Sequence, residues 1–214
     1  MSGLRTRLGI QRRLTMVYVV YMTKKSTAER IAAAARKLLD RQGAEAVTMR
    51  RVAKAVSITP MALYRHFADR DGLLNALADA GFVELAARAE QAAMQAEPEE
   101  QLRKILDVFL DFGLEKPRLF ELMFLKPRGG ARQFPGDFRA GRSPTARFVA
   151  AALEAGMEQG IFRRGDVWEV TFGTGALLQG MVMLYVGGRV GTSEEEFRGL
   201  CHRAFGRYLD GIRQ

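Results

Sequence analysis

Three side chains suited to contact with another molecule stand side by side in SITPMALYRHFADRDGLL, residues 57–74. Tyr64, Arg65 and His66 offer a phenol, a guanidinium and an imidazole on one short helical segment that begins near Thr59. A helix this short is not stable alone, because isolated helices need roughly 12 or more residues. A core helix would not expose all three groups. The stretch therefore predicts a short helix, held by its neighbours, that presses one face onto a second molecule.

Residues that could support catalysis or metal binding are scarce. The sequence has no Gly-x-Ser-x-Gly element, Walker loop or paired histidine and carboxylate motif, and GTGALLQG (173–180) lacks the G-x-G-x-x-G spacing. His66, His202 and the single cysteine, Cys201, are too few for a metal site. One cysteine excludes an internal disulfide and fits a reducing, cytoplasmic location. We therefore expect no enzyme, not even an all-α one with an apolar active site, and neither metal nor cofactor.

The net charge of +9 is confined to the beginning of the 214-residue chain. Residues 1–82 hold 15 Lys and Arg against 6 Asp and Glu, whereas residues 83–214 hold 18 of each kind. A requirement for solubility would not separate charge in this way. A polyanion-binding module on a neutral body would, and we favour nucleic acid over a membrane surface as the polyanion.

Apolar residues recur at helical spacing and strand-like alternation does not persist, so an all-α fold is expected. Thr48 and Thr59 are suitable N-cap residues, and Pro60 follows at a first helical position that needs no N–H donor. The predicted helices lie at about 27–42, from 48, from 59, 69–87, 99–115, 118–125, 145–159, 167–186 and 193–212. The helix pattern and the charge distribution divide the chain into three parts: residues 1–26 as a basic arm or an over-extended start, the basic part 27–82 and the neutral part 83–214.

Two short helices joined by VSI lie between Thr48 and Phe67. Leu63 and Phe67, spaced by four, would hold the second helix, which leaves Tyr64 and Arg65 outward. This is the helix-turn-helix arrangement, in which the second helix enters the DNA major groove.

Residues 27–82 resemble the N-terminal domain of the TetR family of bacterial transcriptional regulators. The matching positions are Ile31, Ala34, Ala35, Leu38, Gly43, Thr48, Leu63-Tyr64, His66-Phe67, Arg70 and Leu73-Leu74. Ser57 is a departure, because the family usually has Gly in this turn. The turn is expected to need a positive φ, which costs a non-Gly residue some free energy.

The resemblance implies that residues 27–82 are a DNA-binding domain and residues 83–214 a ligand-binding and dimerisation domain. It also implies DNA contacts for residues on and beside the two short helices. Arg50 would reach a base edge, since Arg to guanine is the commonest specific contact. The groove-facing residues would be Pro60, Met61, Ala62, Tyr64 and Arg65. Thr48 and Thr59 would bind phosphate at helix N-termini, and His66, Arg70 and the Tyr64 hydroxyl would contact the DNA backbone. The alternatives are a core role for His66 or Tyr64 and a solvated Arg51.

The resemblance also implies an apolar effector pocket and a homodimer formed by the last two helices, about 167–186 and 193–212. Gly173, Gly175, Ala176 and Gly180 would allow close approach, and a stripe from Phe197 through Leu200, Cys201, Ala204 and Phe205 to Leu209 would need a partner. The pocket candidates are Phe109, Phe112, Met123, Phe124, Met157, Trp168, Phe172 and Gln179, with Glu121 as a further polar group; each is otherwise simply core. The implied protein is a repressor that a small apolar effector releases from a (pseudo)palindromic operator.

Three segments leave alternatives open. The apolar stretches 14–22 and 170–188 would suit a membrane-associated protein, although we favour a subunit interface for the second. Met1, Met16 and Met22 are all plausible starts. Residues 126–144, with four Gly and three Pro, predict a long mobile loop or lid. The effector, the operator sequence and the sign of regulation are not encoded in any motif.

Overall fold

The computed structural model describes residues 26–214, which form ten α-helices and no β-strand. The predicted all-α class is confirmed, while the basic arm and the apolar stretch 14–22 lie outside the described residues. The helices are α1 (Thr27–Gln42), α2 (Met49–Ala55), α3 (Pro60–Tyr64), α4 (Arg70–Ala93), α5 (Pro98–Glu115), α6 (Pro117–Phe124), α7 (Gly136–Arg139), α8 (Pro144–Glu158), α9 (Val167–Val186) and α10 (Glu194–Ile212).

The first three helices share a core, to which α1 contributes apolar residues spaced by one helical turn. Ser26 and Glu29 form a capping box that starts α1. Ile31, Ala35 and Leu39, on one face of α1, are fully buried. Val52 of α2 and Leu63 of α3 are also fully buried, so each short helix has an apolar anchor in a shared core.

Helix α4 is longer than predicted and joins the two halves of the molecule. It continues to Ala93 and ends where Gln95 adopts a φ of 62°. The Ala- and Glu-rich residues after position 87 are good helix formers, so the helix ends only shortly before Pro98. Leu73 and Leu85 of α4 are both buried in the core, and the predicted boundary at residue 82 falls inside this one continuous helix.

Helices α4, α5, α8 and α9 pack against one another as the main body of the second half. Gly113 of α5 lies so close to Val182 of α9 that an added Cβ would stand 2.4 Å from a methyl carbon. Helix α10 covers α5 with Phe197, Cys201, Phe205 and Leu209, all buried within the same chain. The prediction that this stripe needs a partner molecule was therefore wrong for these four residues; only Leu200, at 44% exposure, faces outward.

Residues 126–144 are held against α4, contrary to the prediction of a mobile loop. Nη1 of Arg128 donates to Oδ1 of Asn75 at 2.9 Å, and Arg132 pairs with Asp79 at 3.0 Å. The segment also contains the one-turn helix α7. Its Gly and Pro content favours turns, but its anchors are arginines whose acceptors are about fifty residues away in sequence.

Glu84 joins α4 to both halves of the molecule. Its carboxylate accepts from Arg88 at 3.0 Å and from Lys116, and it lies 4.0 Å from Arg36 of α1. Burial, the largest single influence, raises the Glu84 pKa, but the hydrogen bond and charge of Lys116 together with the charges of Arg88 and Arg36 bring it below its usual value. The ion pairs thus connect α1 to the second half through α4.

Candidate DNA-binding face and ligand cavity

Two threonines fix the starts of α2 and α3. Thr48 Oγ1 accepts from the Arg51 N–H at 3.3 Å, and Thr59 Oγ1 accepts from the Ala62 N–H at 3.1 Å. The hydroxyls therefore act as N-caps within the chain. Phosphate contact by Thr48 or Thr59 stays a prediction that rests on the remaining N–H groups of the first turns.

The turn between α2 and α3 contains the expected strained residue. Ser57 has a φ of 57°, so the prediction of a positive φ at this position is confirmed. The Ser57 N–H donates to the Lys54 carbonyl at 3.2 Å, and the Ile58 N–H donates to the Ala53 carbonyl at 3.1 Å. These bonds end α2 and set the direction of α3.

Helix α3 presents the face that the sequence predicts. Leu63 is fully buried, whereas Met61 is 70% exposed and Tyr64 48% exposed. Pro60, Arg65 and His66 are also exposed, and Ala62 is half-buried. These side chains are therefore accessible to a second molecule, and their contact with DNA stays a prediction.

The helix-turn-helix is purely cationic. Residues 46–68 contain Arg50, Arg51, Lys54 and Arg65 and no acidic residue. Within residues 26–214, the side chains of Arg50, Lys54 and Arg65 make no hydrogen bond or ion pair, whereas Arg51 donates to Gln42 at 2.7 Å. Lys54 is exposed and was missed by the sequence reasoning, although its position four residues after Arg50 could have identified it.

Arg70 is used within the chain. Its guanidinium donates to the backbone carbonyls of Val47 and Ala44, both at 2.8 Å, and lies 3.4 Å from the Glu45 carboxylate. These bonds hold the segment that leads into Thr48. The structure thus gives Arg70 a supporting role, and the DNA-backbone contact implied by the resemblance stays a prediction.

A cavity of about 320 Å³ lies between α4, α5, α6, α8, α9 and the segment 126–144. Five of the predicted pocket residues line it: Phe109, Met123, Phe124, Phe172 and Gln179. Its volume is at the lower end of the range of about 300–1,000 Å³ that small-molecule sites occupy.

Three predicted pocket residues lie elsewhere. Phe112 is fully buried beneath the charged groups of Arg88 and Lys116, which lie 5.5 and 5.3 Å from its ring centroid. Met157 packs in the core of α8, and Trp168 lies at the start of α9 outside the cavity wall. Glu121 instead pairs with Lys126 at 3.4 Å. The apolar character of these residues did not show which face of a buried helix lines the cavity and which packs in the core.

Several cavity residues were missed, and six of them belong to the supposed loop. Arg128, Arg132, Phe134 and Phe138 all line the cavity. Phe134 lies 5.6 Å from Phe138 and 4.7 Å from Phe172, measured between ring centroids. The spacing of four between Phe134 and Phe138 was an available signal of an inward face.

An apolar strip remains uncovered on α9. Phe172 and Leu184 are 50% and 53% exposed, Ala176 is exposed, and nothing lies near Gly180. These residues are spaced by four, so they share one face.

Of the helices within residues 26–214, only α9 is long and apolar enough to cross a membrane, and 28% of its most apolar window is buried. The same part of the chain contains no cluster of three potential metal ligands.

Two family models match the chain. Residues 31–77 match bacterial regulatory proteins of the TetR family, and residues 102–205 match a tetracycline-repressor-like C-terminal domain. Together these matches cover more than half of the sequence. No curated protein sequence matches the chain.

Solved structures with the same fold include a protein of unknown function from Rhodococcus sp. RHA1, which is 23% identical with a TM-score of 0.74 over 90% of this chain and 98% of that one. The TetR family transcriptional regulator PfmR from Thermus thermophilus is 26% identical, with a TM-score of 0.57 over 84% of this chain and 95% of that one. A TetR variant from Acinetobacter baumannii AYE in complex with minocycline is 20% identical, with a TM-score of 0.63 over 88% and 96% of the two chains. The chain belongs to the TetR family of bacterial regulatory proteins, which are DNA-binding regulators and not enzymes.

Proposed function

We propose that the protein is a homodimeric repressor that binds a (pseudo)palindromic operator and leaves it when a small molecule fills the cavity. The observation that carries the proposal is the exposed face of α2 and α3. It combines Met61 and Tyr64 with the unpaired cations Arg50 and Arg65, and no acidic residue lies within residues 46–68. Cations supply attraction to phosphate, and Arg50 would supply base recognition.

A second copy is the occupant that best fits the strip on α9. A single helix-turn-helix reads one half-site, and a dimer places two recognition helices on half-sites about 34–36 Å apart or a multiple of that distance. The strip Phe172, Ala176, Gly180 and Leu184 offers an apolar face with a small centre, and α10, which packs against α9, exposes Leu200. Phe172 and Ala176 also line the cavity, so a partner on this strip would lie beside the cavity entrance.

A side chain that the cavity shares with a second cleft supports release of DNA by an effector. A second cleft, of about 310 Å³, is lined by Glu45, Arg70 and Asp71 on one side and by Lys126 and Arg128 on the other. Arg128 also lines the ligand cavity, so one side chain borders both spaces. A ligand that prefers one arrangement of these groups would shift the spacing of the two DNA-binding domains and lower DNA affinity. The related Acinetobacter protein was solved with minocycline, which supports a ligand site in this fold.

Fluorescence anisotropy on the DNA just upstream of the protein's own coding sequence tests the proposal. A scrambled duplex of equal length is titrated in parallel, and both are measured across a salt series. We expect much tighter binding to the native duplex at every salt concentration, because base contacts add to the salt-dependent phosphate term. Equal and steeply salt-dependent binding to both duplexes would contradict site-specific recognition of this DNA.

The apolar length of α9 favours one competing function, that of a membrane-associated protein. Size-exclusion chromatography with light scattering, run without detergent, separates the two. The proposed dimer has twice the chain mass of 23.8 kDa. Solubility only in detergent would support the membrane alternative instead.

A further inference from the structure

Arg128 is a partly buried cation without an acidic partner. Its donors reach Asn75 Oδ1 at 2.9 Å and the backbone carbonyls of Leu122 and Met123 at 3.2 and 3.4 Å. No carboxylate within residues 26–214 lies within 4.0 Å of it, and burial lowers the pKa of the guanidinium. The charge of Asp79 reaches Arg128 only from beyond 4.0 Å, and all the hydrogen bonds of Arg128 go to neutral groups. Such an ion is costly to bury, so an anion supplied from the cavity would be stabilised here.

Arg132 adds a second cation to the same wall. Its Nη1 forms an ion pair with Oδ1 of Asp79 at 3.0 Å, in a geometry that is not that of a hydrogen bond, and its Nε donates to the Arg142 carbonyl at 2.7 Å. Asp79 is half exposed and does not line the cavity, whose described lining contains no acidic residue. Arg128, Arg132 and Asp79 together leave one uncompensated positive charge.

Thr171 supplies an unused polar group on the part of the cavity wall that α9 forms. The residue is 2% exposed and lines the cavity, and its Oγ1 has no hydrogen-bond partner within residues 26–214. Thr174, one turn further along α9, donates its hydroxyl to the Val170 carbonyl at 2.8 Å and also meets the Tyr208 hydroxyl. Buried hydroxyls normally find such partners, so the free Thr171 hydroxyl points to a ligand atom as its partner.

Much of the remaining wall is aromatic, beside aliphatic residues and the polar Ser143, Thr145 and Gln179. Six phenylalanines line the cavity: Phe82, Phe109, Phe124, Phe134, Phe138 and Phe172. We propose that the cavity binds an amphipathic monoanion, with a carboxylate on Arg128 and Arg132 and an aliphatic or aromatic body between the phenylalanine rings. Thr171 contacts a polar atom of the same ligand. This inference rests on the proposed function, because it names the chemical class of the effector.

Three probes of equal chain length distinguish the contribution of head-group charge to binding from that of apolar burial. They are octanoate, octan-1-ol and octylamine. Each is titrated into the purified full chain by isothermal calorimetry at neutral pH. A hydrogen-bonded charge pair contributes about 1.5–3 kcal/mol, so octanoate should bind about 10- to 100-fold tighter than octan-1-ol. Octylamine should bind most weakly, because its ammonium meets the two arginines.

Two variants test whether the carboxylate of the ligand binds at Arg128. Arg128→Met should lower octanoate affinity at least about tenfold and leave octan-1-ol affinity nearly unchanged. Asn75→Asp places a carboxylate beside Arg128 from outside the cavity lining, so it should weaken octanoate binding in the same selective way. Asn75→Ala is the matched control, because it removes the amide without adding charge, and octanoate should still bind better than octan-1-ol.

The outcomes separate this inference from the proposed function. Equal binding of the three probes, or no binding of octanoate at millimolar concentration, would overturn the carboxylate assignment. DNA anisotropy on the same samples tests the repressor proposal independently. Octanoate binding that leaves specific DNA affinity unchanged would support the anion site and contradict its role as the effector site.

Discussion

The guanidinium of Arg128 donates to the side-chain oxygen of Asn75 at 2.9 Å, and this bond ties the segment after α6 to the helix that starts at the DNA-binding face. Asn75 lies five residues after Arg70, which holds the carbonyls of Ala44 and Val47 in front of α2. Asn75, which holds the cavity residue Arg128, and Arg70, which holds the segment in front of α2, therefore lie about one and a half turns apart on α4. This arrangement gives a ligand at Arg128 a short physical route to α2.

Arg70 and Arg65 should respond to substitution in opposite ways. Arg70→Ala leaves two backbone carbonyls without their donors, so we expect a loss of about 1–3 kcal/mol in the free energy of unfolding. Arg65 is exposed and unpaired, so Arg65→Ala should leave stability within about 0.5 kcal/mol of wild type and weaken DNA binding. Chemical denaturation and anisotropy on both variants measure the two effects. Wild-type stability of Arg70→Ala would contradict the supporting role.

Ser57→Gly should stabilise the turn between α2 and α3. A non-Gly residue at a φ of 57° carries a cost of about 1–2 kcal/mol, and part of this gain is lost to the greater entropy of glycine in the unfolded chain. We expect a net gain of about 0.5 kcal/mol, seen as a higher melting temperature. Ser57→Val is the opposite control and should lower the melting temperature, because β-branched residues tolerate this φ poorly.

These outcomes show how far the sequence predicts the fold. Position 57, the buried Leu63 and the bounds of α1 all depend on neighbours close in sequence, and each prediction was confirmed. The predicted end of α4 at residue 87 was wrong, because helix-forming residues carry it on to Ala93.

The candidate site was harder to predict because its contacts join distant residues. Arg70 is engaged by carbonyls more than twenty residues away, and Arg128 bonds to a residue 53 positions earlier. Phe112 and Phe109 lie one turn apart on α5, yet only Phe109 reaches the cavity. Local spacing identifies such a helix as buried but does not determine which neighbour each face meets.

The thiol of Cys201 should be inert in the folded protein. Burial raises the Cys201 pKa to about 11 from its ordinary value of 9.0, with Arg198 opposing the shift. The folded state therefore holds the thiol proton more tightly, and this contribution to stability is present below pH 9 and is lost as the pH rises through about 11. The stability difference between wild type and Cys201→Ala should shrink over that interval. A thiol reagent such as Ellman's reagent should react at pH 8 only after denaturant is added, and rapid reaction with the native protein would contradict the burial.

Leu184→Glu should convert the proposed dimer to a monomer. The substitution places a charge in the apolar strip on α9, where it would be buried without a partner in the interface. Val83→Glu is a matched control, since Val83 is 62% exposed and lies on α4 away from this strip. Light scattering should give half the wild-type mass for the first variant and the full mass for the second. A dimer that survives Leu184→Glu would place the interface elsewhere.

The central claim is that the face of α2 and α3 recognises a DNA sequence. The most direct test is the anisotropy titration of native and scrambled upstream DNA with wild type, Arg50→Ala, Tyr64→Ala and the control Arg164→Ala, whose exposed arginine lies far from this face. We predict that Arg50→Ala and Tyr64→Ala each reduce affinity for the native duplex by about 1–3 kcal/mol and narrow its advantage over the scrambled duplex, while Arg164→Ala changes neither. Unchanged discrimination in both face variants would contradict the claim.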